Sequence, residues 1–314
     1  MSSEITPDLL RRITRLELRT RRLINSALIG AYRTAFKGRG SAFDGIRPYE
    51  PGDDVRAMEW NVSARTGEPY IKQFTEEREL CVMVLVDDSA SMRFGTQSAS
   101  KRDRAAELTA AVALIAVRGG DRVGVMVAGD QTRAYLPPRR GRGHVLRAIR
   151  LVTAPGVSKR LDLGDALRAA SRLMPQRGVM FVISDFLGDV AGYARPLGLV
   201  SKRHEVICAV TDDPLEHALP DAGLLHLEDS ESEARAWADT SNPAWRTAFE
   251  AESRARAAAR DLAITRAGAA RLNLSTDSDP VTALARFLRK KTSPPSPLSI
   301  VEKGSRAKQD GGEV

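Results

Sequence analysis

Cysteine is nearly absent from this chain. Its two cysteines, Cys81 and Cys208, each lie inside an apolar run, LCVMVLV and EVICAV, and neither belongs to a CxxC or a zinc spacing. Both read as buried small hydrophobes. The four histidines are scattered, with no HExxH or His-x-His pairing, which argues against a transition-metal site. Aromatic residues are only 5%, and no aromatic platform interleaves with the arginines as single-strand nucleic-acid binders require. No stretch approaches the roughly 18 uncharged apolar residues of a membrane span. The start, MSSEITPDLLRRITRLELRTRR, has no apolar run after its basic patch and is therefore not a secretory signal. These absences together predict a cytoplasmic protein. A Walker P-loop, a GxSxG elbow and a GxGxxG turn between strand and helix are also missing.

What is present is ordinary for a globular protein: 314 residues, 42% hydrophobic and 28% charged. The net charge is +8 and the pI about 9.8. Much of the excess lies at the ends, in Arg11, Arg12, Arg15, Arg19, Arg21 and Arg22 and in Arg289, Lys290 and Lys291. Solvated helix faces and attraction to an acidic partner protein account for it. The alternative is a nucleic-acid or anionic-surface binder acting through the basic first helix. The weak aromatic content makes nucleic acid the poorer choice.

Four segments follow from the patterning. Residues 1–37 hold an amphipathic helix over 8–31, because Leu9, Ile13, Leu16, Leu23 and Ala27 recur at intervals of three, four or seven positions, which share one helix face. Residues 38–79 are dense in glycine, proline, arginine and aspartate. There Pro51-Gly52 suits the centre of a type II turn, and Arg47 and Arg56 flank Asp53 and Asp54 as structural ion pairs. Residues 80–290 alternate strands with helices. Leu80–Val86, Arg122–Ala128, Val179–Ser184 and Glu205–Thr211 read as strands, with short ones at Arg133–Leu136, Leu224–Leu227 and 271–275. Helices are expected over 102–118, after Gly143, and over 163–174, 190–201 and 244–260, with a closing helix from Asp279-Pro280. The fold class is therefore α/β, a three-layer, mostly parallel open sheet of Rossmann type. Residues 291–314 are rich in proline, serine and charge and are expected to be disordered.

In open parallel sheets ligands bind outside the carboxyl ends of the strands. The first apolar strand runs straight into Asp87-Asp88-Ser89-Ala90-Ser91, and VMFVIS runs straight into Asp185. Hydroxyls and carboxylates are hard oxygen ligands suited to Mg²⁺ or Mn²⁺. Ser89 and Ser91 would bind such an ion directly, with Asp87 and Asp185 holding its waters and balancing its charge. A rival reading makes Asp87 the nucleophile of an aspartyl-phosphate hydrolase. The Asp-x-Asp pattern that this needs is broken by Ser89, so no enzyme activity is expected.

Asp87, Ser89 and Ser91 resemble the metal-ion-dependent adhesion site of von Willebrand factor A domains, and Gly120-Asp121-Arg122-Val123-Gly124 resembles their second strand. Phe43, Arg47-Pro48-Tyr49, Pro51-Gly52-Asp53-Asp54, Arg56, Trp60, Ser63-Ala64-Arg65 and Glu77-Arg78 resemble the signature of a bacterial family called a domain of unknown function, number 58. Ile183-Ser184-Asp185-Phe186 and Asp213-Pro214-Leu215-Glu216 fit it too. The resemblance implies a von Willebrand A-like sheet and an adaptor or co-chaperone that works with a MoxR-type AAA+ ATPase on an unknown client. It also implies a threonine ligand before the helix at 163–174. Leu161 stands there, and Asp162 or Ser158 would have to substitute.

Overall fold

The apolar runs become strands because they are too short for buried helices and rich in β-branched residues. A computed structural model describes residues 7–37, 45–53, 55, 58–73, 79–97, 99–156, 158–232 and 234–292. Helices α1 (Pro7–Leu23) and α2 (Ser26–Lys37) come first, then strand β1 (Gly45–Pro48), helix α3 (Trp60–Thr66) and strand β2 (Tyr70–Gln73). The alternating part comprises β3 (Cys81–Asp87), α4 (Lys101–Arg118), β4 (Arg122–Ala128), β5 (Thr132–Arg139), α5 (Arg142–Thr153), α6 (Leu163–Leu173), β6 (Val179–Ser184), α7 (Val190–Arg203) and β7 (Glu205–Asp212). Strands β8 (Leu224–Glu228) and β9 (Arg235–Asp239), helix α8 (Pro243–Arg266), strand β10 (Ala270–Ser275) and helix α9 (Pro280–Thr292) complete it.

One sheet has the order β10-β7-β6-β3-β4-β5. Its neighbours pair in parallel except β5, which runs antiparallel to β4 at the edge. The edge strand is longer than the sequence suggested. It carries Pro137 and Pro138, residues without an N–H that an edge tolerates and a central strand does not. Successive side chains of β3 point to opposite faces. Val82, Val84 and Val86 pack with α4, α5, α9 and the N-terminal helices; Cys81, Met83 and Leu85 pack with α6, α7 and α8. Both cysteines are buried and free, as expected. Each fully buried Val or Leu side chain contributes roughly 1.5–3 kcal/mol, so the doubly covered central strands anchor the fold.

Two expectations are corrected. The single helix over 8–31 is broken at Ile24-Asn25, because the Asn25 side chain accepts a hydrogen bond from Leu28 N at 2.9 Å and starts a second helix. The strand at Leu224–Glu228 does not join the large sheet but pairs antiparallel with β9, which the sequence did not reveal. In the arginine- and aspartate-rich block, the Glu50–Asp53 turn closes through Asp53 N to Glu50 O at 3.1 Å, with Gly52 at φ 112°. Arg47 forks onto Asp53 at 2.7 and 2.6 Å, and this bonding holds the Asp53 carboxyl below the usual carboxylate range. Asp54, Arg56, Phe43, Glu77, Arg78 and the tail over 293–314 lie outside the described residues. No helix among the described residues is long and apolar enough to cross a membrane.

The N-terminal helices are tied to the sheet layer by buried polar contacts. Glu17 on α1 is buried and accepts from Arg142 at 2.7 and 3.3 Å. Tyr32 on α2 donates at 2.8 Å to Asp121, whose other oxygen accepts from Leu80 N at 3.0 Å. Burial, then the Asp121 charge, pushes the Tyr32 pKa far upward, so its hydroxyl stays a donor at every physiological pH. Tyr32→Phe should therefore cost about 1.5–3 kcal/mol, the range for a hydrogen bond to a charged group. Thermal unfolding should show a midpoint several degrees lower; an unchanged midpoint would mean that α2 does not depend on this contact.

Candidate functional site

Strands β3 and β6 are adjacent and parallel with Val86 opposite Ile183, so both chains leave the sheet at the same edge. Asp87 ends β3 and Asp185 follows β6. Asp87 Oδ1 accepts from Ser89 N at 2.7 Å, which folds the loop back, and Asp87 Oδ2 accepts from Ser184 Oγ at 2.6 Å. Ser89 Oγ and Ser91 Oγ then lie 3.0 Å apart, in hydrogen-bond contact. Phe186, after Asp185, adopts φ 55°, among the described residues the one non-glycine in the left-handed region. Its buried ring, 5.8 Å edge-on from Tyr193, and its N–H, donated to Ser184 Oγ at 3.1 Å, hold it there. Strain of this kind concentrates where a loop must aim a functional group.

The neighbouring aspartate has a different part. Asp88 is fully buried and faces Arg102 and Arg133, the latter with Nε 3.0 Å from its Oδ2. It fastens the loop to the start of α4 and to β5. The 158–162 loop lies alongside: Ala90 N donates to Lys159 O at 3.1 Å. A Cβ on Gly129 would fall 2.1 Å from the Ser158 side chain, so only glycine lets the end of β4 approach that loop.

Four of the five nominated residues, Asp87, Ser89, Ser91 and Asp185, thus come together at one edge. Asp162 is employed otherwise: its side chain accepts from Asp165 N at 2.8 Å and caps α6. Leu161 packs against the core on that face of the sheet.

Three charged residues at this edge were not among the nominated site residues, although Glu216 belongs to the quoted Asp213-Pro214-Leu215-Glu216 run. Lys101, the first residue of α4, is fully buried, with Nζ 2.7 Å from Asp185 Oδ2 and 2.6 Å from Glu216 Oε1. Burial alone would lower its pKa, but the charges of Asp185 and Glu216 outweigh it and hold the ammonium above its ordinary value. The second residue is Glu216, pushed up by burial; its other oxygen accepts from Asp213 N at 3.0 Å. Asp213 accepts from Thr96 Oγ1 and Thr276 Oγ1, both at 2.6 Å, so Asp213-Pro214-Leu215-Glu216 ties three loops together. Glu231, in the β8–β9 turn, lies near Ser91 and is raised by burial and by the Asp185 charge. The turn is fixed by Asp229, which accepts from Glu231 N at 2.8 Å and Ser232 Oγ at 2.7 Å.

Asp87 is the carboxylate beside the hydroxyl pair that has no cationic partner among the described residues. Burial, then the charge of Asp185, pushes Asp87 up to about 7. Lys101 serves Asp185 and Glu216. Two hydroxyl oxygens 3.0 Å apart match the edge of an octahedron with ligand distances of about 2.0–2.1 Å, the preference of Mg²⁺. Among the described residues no group of three or more His, Cys, Asp or Glu could hold a metal, so an ion here would rest on the serine hydroxyls.

One Ser–His–Asp arrangement exists nearby and is not a nucleophile–base pair. His217 lies 3.0 Å from Asp212 and 3.2 Å from Ser253 Oγ. Ser253 is buried and already donates its hydroxyl proton to Glu216 O at 2.8 Å. It has no proton left to give the imidazole.

A family model described as "Protein of unknown function DUF58" matches residues 45–259. "Uncharacterized protein Rv1480" of Mycobacterium tuberculosis is 36% identical over 286 residues, covering 90% of this chain and 89% of that protein. "Uncharacterized protein MAV169" of Mycobacterium avium is 34% identical over 157 residues, covering 49% of this chain and 92% of its own. Among solved structures, BatB from Bacteroides thetaiotaomicron is similar with a TM-score of 0.44 and 16% identity, over 68% of this chain and 98% of that one. The SpRpn10 VWA domain is similar with a TM-score of 0.38 and 14% identity, over 69% of this chain and 96% of its own.

Lys101→Met should strand the buried Asp185 and the half-buried Glu216 and cost about 3–5 kcal/mol in chemical unfolding. Adding Glu216→Gln should restore part of that loss; no restoration would mean that the ammonium is not their shared counter-ion. A second outcome concerns Asp87 in chelator-treated protein. Its folded pKa lies above its unfolded one, so the unfolded chain releases the proton first and stability falls as pH rises from about 4 to about 7. Asp87→Asn lacks this loss and should gain on the wild type between pH 5 and pH 8, read as unfolding midpoints. A constant difference would show that Asp87 is ionised throughout.

Proposed function

The chain belongs to the DUF58 family, and on that footing we propose that it is a non-enzymatic protein-binding adaptor or co-chaperone whose contact surface is the edge around Ser89 and Ser91. The supporting observation is the hydroxyl pair, 3.0 Å apart, set among carboxylates whose charge is incompletely balanced. Mg²⁺ or Mn²⁺ would be held by Ser89 and Ser91, with Asp87 and Asp185 balancing its charge. When bound, the ion offers an open coordination position to a carboxylate of the partner. The chain's own residues do the rest. Asp87 orients the loop through Ser89 N, Ser184 braces Asp87, and Lys101 keeps Asp185 in place. The partner is a MoxR-type AAA+ ATPase that presents a client; this part of the proposal rests on the family resemblance.

The test is the pair Ser89→Ala and Ser91→Ala together with capture of the ATPase. The two hydroxyls bond to each other, so removing both strands little and should leave the circular dichroism spectrum and melting curve unchanged. Capture should weaken about tenfold or more, equivalent to roughly 1.4 kcal/mol, and chelation should weaken the wild type alike. Calorimetry should show weak Mg²⁺ or Mn²⁺ binding that the double variant lacks. Undiminished capture by a folded Asp87→Ala, Ser89→Ala, Ser91→Ala protein would place the contact elsewhere.

A further inference from the structure

Helix α1 has two faces with different fates. Leu16 packs against the core, and Glu17, Thr20 and the following Ile24 are buried against the body of the protein. On the outer side Arg11, Arg15, Leu18 and Arg22 are spaced four, three and four residues apart, the stripe by which one helix packs along another. Arg11, Arg15 and Arg22 are exposed, and none of them meets a carboxylate among the described residues. Arg19 does: it pairs with Glu107 at 3.1 Å and Asp279 at 3.3 Å. Leu18 and Leu23 are each 44% exposed beside these arginines. Together with the start of α9 they border a groove of about 970 Å³.

We propose that this groove docks an acidic amphipathic helix from a partner protein. A helix with carboxylates at matching intervals would pair with Arg11, Arg15 and Arg22 and set its apolar residues on Leu18 and Leu23. The chemistry disfavours other occupants. A second copy of the stripe would bring arginine against arginine. The chain's own residues 293–314 carry Glu302, Asp310 and Glu313 against Lys303, Arg306 and Lys308, so they offer no acidic excess. Lipid and nucleic acid are disfavoured because the stripe has no aromatic residue to anchor in a membrane or stack on a base. This site is separate from the strand-end edge and stands whether or not that edge binds an ion.

The experiment uses the full chain and a fluorescein-labelled helical peptide with leucine at every third or fourth position and glutamate elsewhere. Fluorescence anisotropy at physiological salt should show saturable binding, and the same peptide with lysine for glutamate should not bind. Arg11→Glu, Arg15→Glu and Arg22→Glu together should weaken binding about tenfold or more, and Leu18→Asp should weaken it severalfold. Arg172→Glu, Lys202→Glu and Arg254→Glu change the net charge equally and should leave binding nearly intact. Melting curves establish that each variant is folded. Equal loss in both triple variants would reduce the effect to net charge and overturn the site. Tighter binding to phosphatidylserine vesicles or to a single-stranded oligonucleotide, abolished by the α1 triple variant, would assign the groove to lipid or nucleic acid instead.

Discussion

One ammonium group fixes the edge on which the functional reading depends. Lys101 Nζ is sealed from solvent between Asp185 and Glu216, at the meeting point of α4, the end of β6 and the turn after β7. A buried charge is tolerable only when its partners and hydrogen bonds are complete. The three residues therefore impose one arrangement on three segments far apart in sequence. The capping box of Ser100 and Asp103 starts α4 just where the ammonium must enter, so local helix chemistry and long-range pairing agree.

The same arrangement explains why the loop after β3 remains electrically uneven. Asp88 is matched by Arg102 and Arg133, and Asp185 is matched by Lys101. Asp87 receives only neutral donors, from Ser89 N and Ser184 Oγ. Two aspartates adjacent in sequence thus end in opposite conditions: one is locked into the body of the protein, and the other is left beside the hydroxyls with its charge unmatched. Division of labour of this sort separates the residue that builds the loop from the residue that gives it chemistry.

How far the sequence was legible depended on the range of the interaction. The central strands were plain because continuous apolar runs such as CVMVLV have few other solutions, and the strand-end rule then put Asp87 and Asp185 on one edge. The β9 strand was hidden because RAWAD is short and mostly exposed, with no alternation to betray it. Helices α1 and α2 merged in the reading because their apolar periodicities run on across Ile24-Asn25, and only the Asn25 side chain separates them. Lys101 was invisible for another reason. A lysine opening a helix normally faces water, and nothing local shows that two carboxylates, 84 and 115 residues away, await it. A cationic residue on the helix face that carries Ala105 and Leu108 was the one available hint.

The placement of Glu231 near Ser91 bears on the proposed recognition. A tethered carboxylate presents itself to the hydroxyl at a high effective concentration, far above that of a free competitor. A stray acidic side chain, or a simple carboxylate in solution, must displace a group that never diffuses away. Only a ligand with additional contacts would prevail, and the exposed Trp237 lies on the same hairpin. If acidic groups bind this edge as proposed, the hairpin would act as a threshold, lowering the apparent affinity for each of them and so sharpening the choice among them.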